Sequence, residues 1–332
     1  MGTELDLALN LLISVRTAII ILIQCIGMHI YENRWHDINN YLKITRHLRR
    51  PRKNGARKQR IIPPRMPRHQ NISFVDVYDR TGIERSTFLR ILQLIRVDLE
   101  RPRSGQRKVR VTLSSANRLM MVLQWLREYP KFKVLAQMYS VSRFFVKREI
   151  RHLIPILFVK LNWIGWPGDH ELNAVGAHAA IDCSAHQRLR VHPKSADYYR
   201  GDKRINMVVS QFVVGFNGAI YELAVGKGHN NDLAMFNLTG MKLHTELNQI
   251  TLLADRGYMH HRIITPASVD WSKCSSSHRV IVENVIGQVK RFAAASATFR
   301  QSPEIQSLVI IVCGELVAET NRHNSARFFP LE

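Results

Sequence analysis

The sequence predicts an α/β fold: a mixed sheet with flanking helices, preceded by an all-helical region that holds a helix-turn-helix. Three observations carry this. Residues 72–165 contain apolar residues at helical spacing. Past Trp166-Pro167-Gly168 the pattern changes to short apolar stretches with strand character. Two of those stretches flank Asn217-Gly218, a hairpin signal, because both residue types tolerate positive φ.

The elements follow in chain order. Residues 1–42 form an apolar segment, densest at Ala18-Ile19-Ile20-Ile21-Leu22-Ile23. Arg16 interrupts it, so the unbroken run is shorter than the roughly 20 residues needed to span a bilayer. It lacks the basic start and cleavage site of a signal peptide. A buried or self-associating helix is the first reading and a membrane anchor the alternative. Residues 43–71 are a basic linker from Lys43 to Arg68 with no carboxylate up to residue 70. Its composition fits a solvated linker, an import signal or an arm that touches phosphates.

In residues 72–165, Phe88, Ile91, Leu92, Ile95 and Leu99 line one helix. Leu113-Ser114 opens a second, with Leu119, Leu123 and Leu126, and Tyr129-Pro130 ends it. A short helix over Phe132–Tyr139, a turn at Ser140-Val141-Ser142 and a helix from Phe144 to Leu157 make a helix-turn-helix plan. Lys147, Arg148 and Arg151 on its last helix are candidates for DNA contact.

Residues 166–332 read as a separate domain. Strands are expected at His178–Asp182, Ile205–Phe216, Ala219–Val225 and Ile250–Ala254. Helices are expected from Asp232, over about residues 278–292, and over Ile305–Glu319. Strand, antiparallel hairpin, helix, strand, helix is compatible with an RNase H-like mixed sheet.

Charge narrows the function. The 332 residues carry 48 Lys+Arg against 26 Asp+Glu, a net charge of +22. That excess favours an acidic partner, with DNA first and an anionic membrane surface second. Four scattered cysteines offer neither zinc-ligand spacing nor a disulfide framework. The histidines, His260-His261 among them, lack an HExxH pattern and read as surface or loop positions.

Against this basic background three carboxylates stand out. Asp182 and Asp255 end apolar strands, and Glu283 sits on a helix rich in basic residues. Phosphodiester cleavage needs an activated nucleophile and a stabilised leaving oxygen. Two divalent ions about 3.5–4 Å apart serve both ends of such a displacement. Mg²⁺ or Mn²⁺ takes oxygen ligands, so acids must converge from separate elements. Asp182, Asp255 and Glu283 are therefore the candidate catalytic and metal-binding triad. Taken singly, each has a bland reading as a turn residue or a solvated helix side chain.

The segments Asp182-Cys183-Ser184, Gly226-Lys227-Gly228-His229-Asn230-Asn231-Asp232, Ala254-Asp255-Arg256-Gly257-Tyr258 and Val282-Glu283-Asn284 through Lys290-Arg291-Phe292 resemble the catalytic domain of DDE superfamily endonucleases. The group most resembled is the PIF/Harbinger and IS5-like transposases. Upstream, Leu123-Gln124-Trp125-Leu126-Arg127-Glu128-Tyr129-Pro130 and Val141-Ser142 resemble that family's helix-turn-helix. The resemblance implies an RNase H-like fold, two divalent ions and the acidic triad named above. It adds Asp232, as a helix cap near the site or as an accessory acid. Arg256, Lys290 and Arg291 become candidate DNA contacts, and Tyr258 either touches DNA or packs. Asp255 and Glu283 lie closer in sequence than is usual for the family, and the segment Pro266–Ser277 is short.

The expected function is a DDE-type transposase or nuclease that cleaves DNA and attacks a target with the freed 3′-hydroxyl. The alternative is a catalytically inactive, transposase-derived DNA-binding protein. The resemblance further implies a nuclear location with a cytoplasmic share, a Myb-like partner protein for binding DNA ends, and homo-oligomers.

Overall fold

The computed structural model describes residues 77–100, 113–167, 176–192, 195–266 and 276–328. The apolar N-terminal segment, the basic linker and most of the Pro266–Ser277 segment lie outside them. The described residues all belong to one compact unit.

The helical region comprises α1 (Val77–Thr81), α2 (Arg85–Glu100), α3 (Ser115–Glu128), α4 (Phe132–Met138) and α5 (Arg143–Lys160). Ser114 caps α3 by accepting from Asn117 N at 3.2 Å, and Tyr129 closes it in the left-handed conformation, φ 48°. Ser142 caps α5 by accepting from Phe145 N at 3.1 Å, so α4 and α5 meet at the expected tight turn. Every residue of α3 from Arg118 to Leu126 is buried, which makes it the central helix of this region. Phe88, Ile91 and Ile95 of α2 and Leu153, Ile154 and Leu157 of α5 are buried as well. One charged pair is enclosed with them. Arg118 Nε donates to Glu149 Oε2 at 2.7 Å, and its Nη1 donates to the Leu99 carbonyl at 2.9 Å.

The sheet contains β1 (Ala179–Gln187), β2 (Tyr199–Arg200), β3 (Ile205–Gly215), β4 (Ile220–Lys227), β5 (Leu252–Leu253) and β6 (Ile263–Ile264). β3 pairs antiparallel with β1, β2 and β4, whereas β1–β5 and β5–β6 are parallel. The helices of this part are α6 (Asp232–Leu238), α7 (Met241–Leu247), α8 (Ser276–Lys290), α9 (Ala293–Ser296) and α10 (Pro303–Phe328). Helices before a mixed sheet, and helices on its faces, make an RNase H-like fold with a helix-turn-helix region ahead of it.

The two faces of β1 serve different layers, because successive side chains alternate. Ile181 and Ala179 join Phe236, Met241, Leu252 and Tyr258 in a buried apolar cluster. On the other face, fully buried His186 joins its strand to β3 and to the helices. Its Nδ1 is 2.7 Å from the Ala295 carbonyl and its Nε2 is 2.6 Å from Ser210 Oγ. The neutral tautomer with its proton on Nδ1 satisfies both contacts.

Several boundaries differ from expectation. β1 runs on to Gln187, so Asp182 lies within the strand, opposite Phe212 of β3, instead of ending it. Continuous pairing along β3 extends the strand past the polar residues. The β3–β4 turn uses positive φ only at Gly218, 80°, while Asn217 Oδ1 accepts from Ala219 N at 3.0 Å. β5 is only two residues long, and Asp255 follows it after Ala254. The cap of α6 is Asn231, whose Oδ1 accepts from Ala234 N at 2.7 Å. Asp232 is the first helical residue, and its carboxylate is left for other contacts.

Candidate metal centre

Asp182, Asp232 and Asp255 come from the middle of β1, the start of α6 and the loop after β5. The parallel β1–β5 pairing, Ala180 opposite Leu253, places the first and third on neighbouring strands. Gly257 shows how closely the second and third approach. A Cβ built on it would lie 2.8 Å from Asp232 Oδ2 and 3.0 Å from Asp255 Oδ1. The same turn is fixed by Gly257 N donating to Asp255 Oδ1 at 2.8 Å. Only a residue without a side chain leaves both carboxylates their present positions.

The electrostatics agree with the crowding. Burial pushes the Asp182 carboxyl up to about 6, the neighbouring Asp255 and Asp232 add to this, and the Cys183 N–H and Arg279 oppose it. Burial also raises Asp232, again with Asp255 contributing, while Cys183, Arg200 and Lys203 work against the rise. Like charges held together in a partly dry site favour protonation unless a cation joins them.

A buried relay orients Asp232. Cys183 Sγ is 3.1 Å from Tyr258 Oη, and the Cys183 thiol also bonds Asp232. Tyr258 is fully buried and packs edge-on to Phe236, ring centroids 6.3 Å apart. It is a packing and relay residue, and the reading that it touches DNA is not supported by its position.

Glu283 is placed differently. It is exposed on α8 and pairs with Arg279 at 2.9 Å, one helical turn earlier. The carboxylates pressing on Asp182 are Asp255 and Asp232, and the α8 group that acts on it is Arg279. Arg279 thus pairs with Glu283 and also acts on Asp182, while Asp232 and Asp255 press on Asp182 from the other elements. Arg279 was missed from sequence, although its i,i+4 spacing to Glu283 is the ordinary signature of a helix ion pair. The roles of Arg200, Lys203, Cys183 and Gly257 depend on tertiary placement and left no comparable signal.

The candidate DNA contacts divide into two groups. Lys147 lies among Arg151 and Arg143 on α5, and Arg151 is the chief cause holding its ammonium below its ordinary pKa. Arg148 covers the Phe145 ring at 5.2 Å and is 3.6 Å from Glu149. Arg256 and Arg291 are exposed. Lys290 is half-buried instead. Burial and the nearby Lys203 lower its pKa while Asp182 raises it, so it stands beside the acids.

A second polar group is separate from the aspartates. Ligand atoms of Glu246, His260 and His261 lie within 4.8 Å of one another, with His260 Nε2 3.3 Å from Glu246 Oε1. His260 and His261 lie in the loop before β6, as the sequence led us to expect. Among the described residues, no helix is long and apolar enough to cross a membrane.

The donor set fits a hard divalent ion. Asp232 and Asp255 face each other across a glycine that a larger residue would fill, and both carboxylates act on Asp182, so the site offers oxygen donors from three separate elements. Comparison with known families agrees with this chemistry. Residues 181–317 match the family model for the DDE superfamily endonuclease, and residues 111–162 match the helix-turn-helix of DDE superfamily endonuclease. The first match spans β1 to α10 and includes all four acids discussed above. The second spans α3 to α5. No curated protein and no solved structure matches the chain. Residues 181–317 are thus similar to a DDE superfamily endonuclease domain, and residues 111–162 to the helix-turn-helix of that family.

Proposed function

We propose that the protein is a metal-dependent DNA nuclease of the transposase type, of the PIF/Harbinger branch, acting in the nucleus. The observation that carries this reading is the approach of Asp232 and Asp255 across Gly257, with Asp182 in the electrostatic reach of both, in a chain of net charge +22. DDE endonucleases generally use divalent metal ions. Here Asp182 and Asp255 would hold Mg²⁺ or Mn²⁺, with Asp232 as a third oxygen donor. Glu283 would complete the set once it leaves Arg279. When bound, the ions activate the attacking oxygen and stabilise the leaving one.

The protein's own groups prepare the rest. Lys290 and Lys203, beside Asp182 and Asp232, give the scissile phosphate a cationic flank. The Tyr258–Cys183–Asp232 relay fixes the Asp232 carboxylate, which limits the reorganisation needed at the reacting phosphate. In hydrolysis a water oxygen bonds to phosphorus, the P–O3′ bond breaks, and the released 3′ oxygen takes up a proton. In strand transfer that 3′-hydroxyl oxygen attacks a phosphorus of a second DNA and displaces its 3′ oxygen. A Myb-like partner for end recognition and assembly into oligomers belong to the same reading.

Nicking of supercoiled DNA in Mg²⁺ or Mn²⁺ tests it. Wild type is expected to nick, and Asp182→Ala or Asp255→Ala to lose at least about two orders of magnitude in rate. Duplex binding without nicking by wild type in any divalent metal would favour the inactive, DNA-binding alternative.

A further inference from the structure

Where the helix-turn-helix meets the sheet domain there is a cleft with no part in the reading above. It has a volume of about 280 Å³ and is formed by the α3–α4 turn, the start of α5 and the Arg300-Gln301 segment. Its cations are Lys131, Lys133, Arg143 and Arg300, its rings are Trp125, Tyr129 and Phe132, and no carboxylate lines it.

The rings are not equivalent. Tyr129 is already engaged: its ring stacks on Phe299 at 5.5 Å, and the Arg300 guanidinium lies 4.2 Å from its centroid. Trp125 is fully buried, yet its indole N–H has no acceptor among the described residues. Phe132 touches Trp125 at 6.1 Å but is only half-buried, so part of its ring faces the cleft. Arg300 donates to the carbonyls of Tyr129, at 2.6 Å, and Pro130, at 3.4 Å, so its position is fixed while its charge stays uncompensated by an acid within the cleft.

The cleft therefore offers four positive charges and a partly open aromatic face. An anionic ligand with a flat ring satisfies both. One nucleotide of a DNA strand has this chemistry, but a base inside a duplex is stacked and cannot present its face. We propose that the cleft takes an unstacked nucleotide from a frayed or single-stranded DNA end, its phosphate on the cations and its base against Phe132. This rests on the reading of the protein as one that acts on DNA. It adds a preference for unpaired ends, set by the helix-turn-helix side of the molecule and independent of the metal centre.

Binding in EDTA separates the two ideas, because neither metal nor cleavage is involved. The full chain would be titrated with a blunt duplex and with the same duplex carrying a short 3′ tail that contains 2-aminopurine. The tailed DNA is expected to bind more tightly and its 2-aminopurine emission to change on binding. Phe132→Leu, which keeps an apolar contact to Trp125, should weaken tailed DNA about 5- to 100-fold and leave the blunt duplex within about twofold. Lys131→Ala/Lys133→Ala, at exposed positions, should act in the same direction and flatten the salt dependence of the tailed complex. Equal binding of both DNAs by wild type, or equal losses on both in the variants, would overturn the proposal. Tighter binding of a ribonucleotide tail would overturn the assignment to DNA. Failure to bind either DNA would instead remove the reading beneath it.

Discussion

Gly257 concentrates the argument in one residue. A methyl group there would meet carboxylate oxygens of Asp232 and Asp255 at 2.8 and 3.0 Å, so Gly257→Ala must push the two acids apart. Both contacts are to side-chain ends, and the fold can absorb the change. The expected result is a near-wild-type unfolding midpoint with Mn²⁺ affinity reduced by about tenfold or more in titration calorimetry. His186 gives a prediction of the opposite kind, on stability alone. Burial lowers its pKa from 6.5 to about 4, so between those values the unfolded chain binds a proton that the folded chain refuses. Stability is then lost as the pH falls through this window, by up to about 3 kcal/mol. Asp182 and Glu222, both raised by burial, work in the other direction. The contribution of His186 is therefore the difference between wild type and His186→Gln. Urea midpoints from pH 7 to pH 4 should fall more steeply for wild type.

At the scale of elements, the Arg118–Glu149 pair ties α3 to α5, and Arg118 ties α3 to the end of α2. Both side chains are almost completely buried. Arg118→Met removes the buried partner of Glu149 Oε2, leaves the carboxylate to the more distant Arg148, and should cost up to about 3–5 kcal/mol in chemical denaturation. Arg118→Met/Glu149→Leu should recover most of that, because an apolar pair avoids the desolvation of both charges. Elements of this size were readable from the sequence. Apolar spacing with Ser114 and Ser142 as caps located α3 and α5, and the long β3–β4 hairpin followed from its turn residues. Strands of two residues, β2, β5 and β6, exist only through their neighbours, and no local pattern marks their ends. The same limit explains Asp232. Adjacent Asn231 and Asp232 are both good cap residues, and only the folded loop decides that Asn231 caps while Asp232 turns toward the acids.

At the scale of the whole molecule, a chain of net charge +22 keeps its carboxylates where they have work to do. Asp182 and Asp255 stand out as candidates in the sequence because the stretches before them are apolar and their flanking residues are distinctive. Glu283 was identifiable by its helix, but its pairing with Arg279 was not, since the pair competes with a site formed by other elements. In the proposed function the three aspartates bind the metal, with Glu283 joining from α8. Diffraction from crystals soaked in Mn²⁺, with the anomalous signal used to place the metal, tests this most directly. Mn²⁺ is expected on Asp182 and Asp255 within reach of Asp232, and is expected to be lost in Asp182→Ala. Mn²⁺ found only at Glu246, His260 and His261, with none among the aspartates, would contradict it.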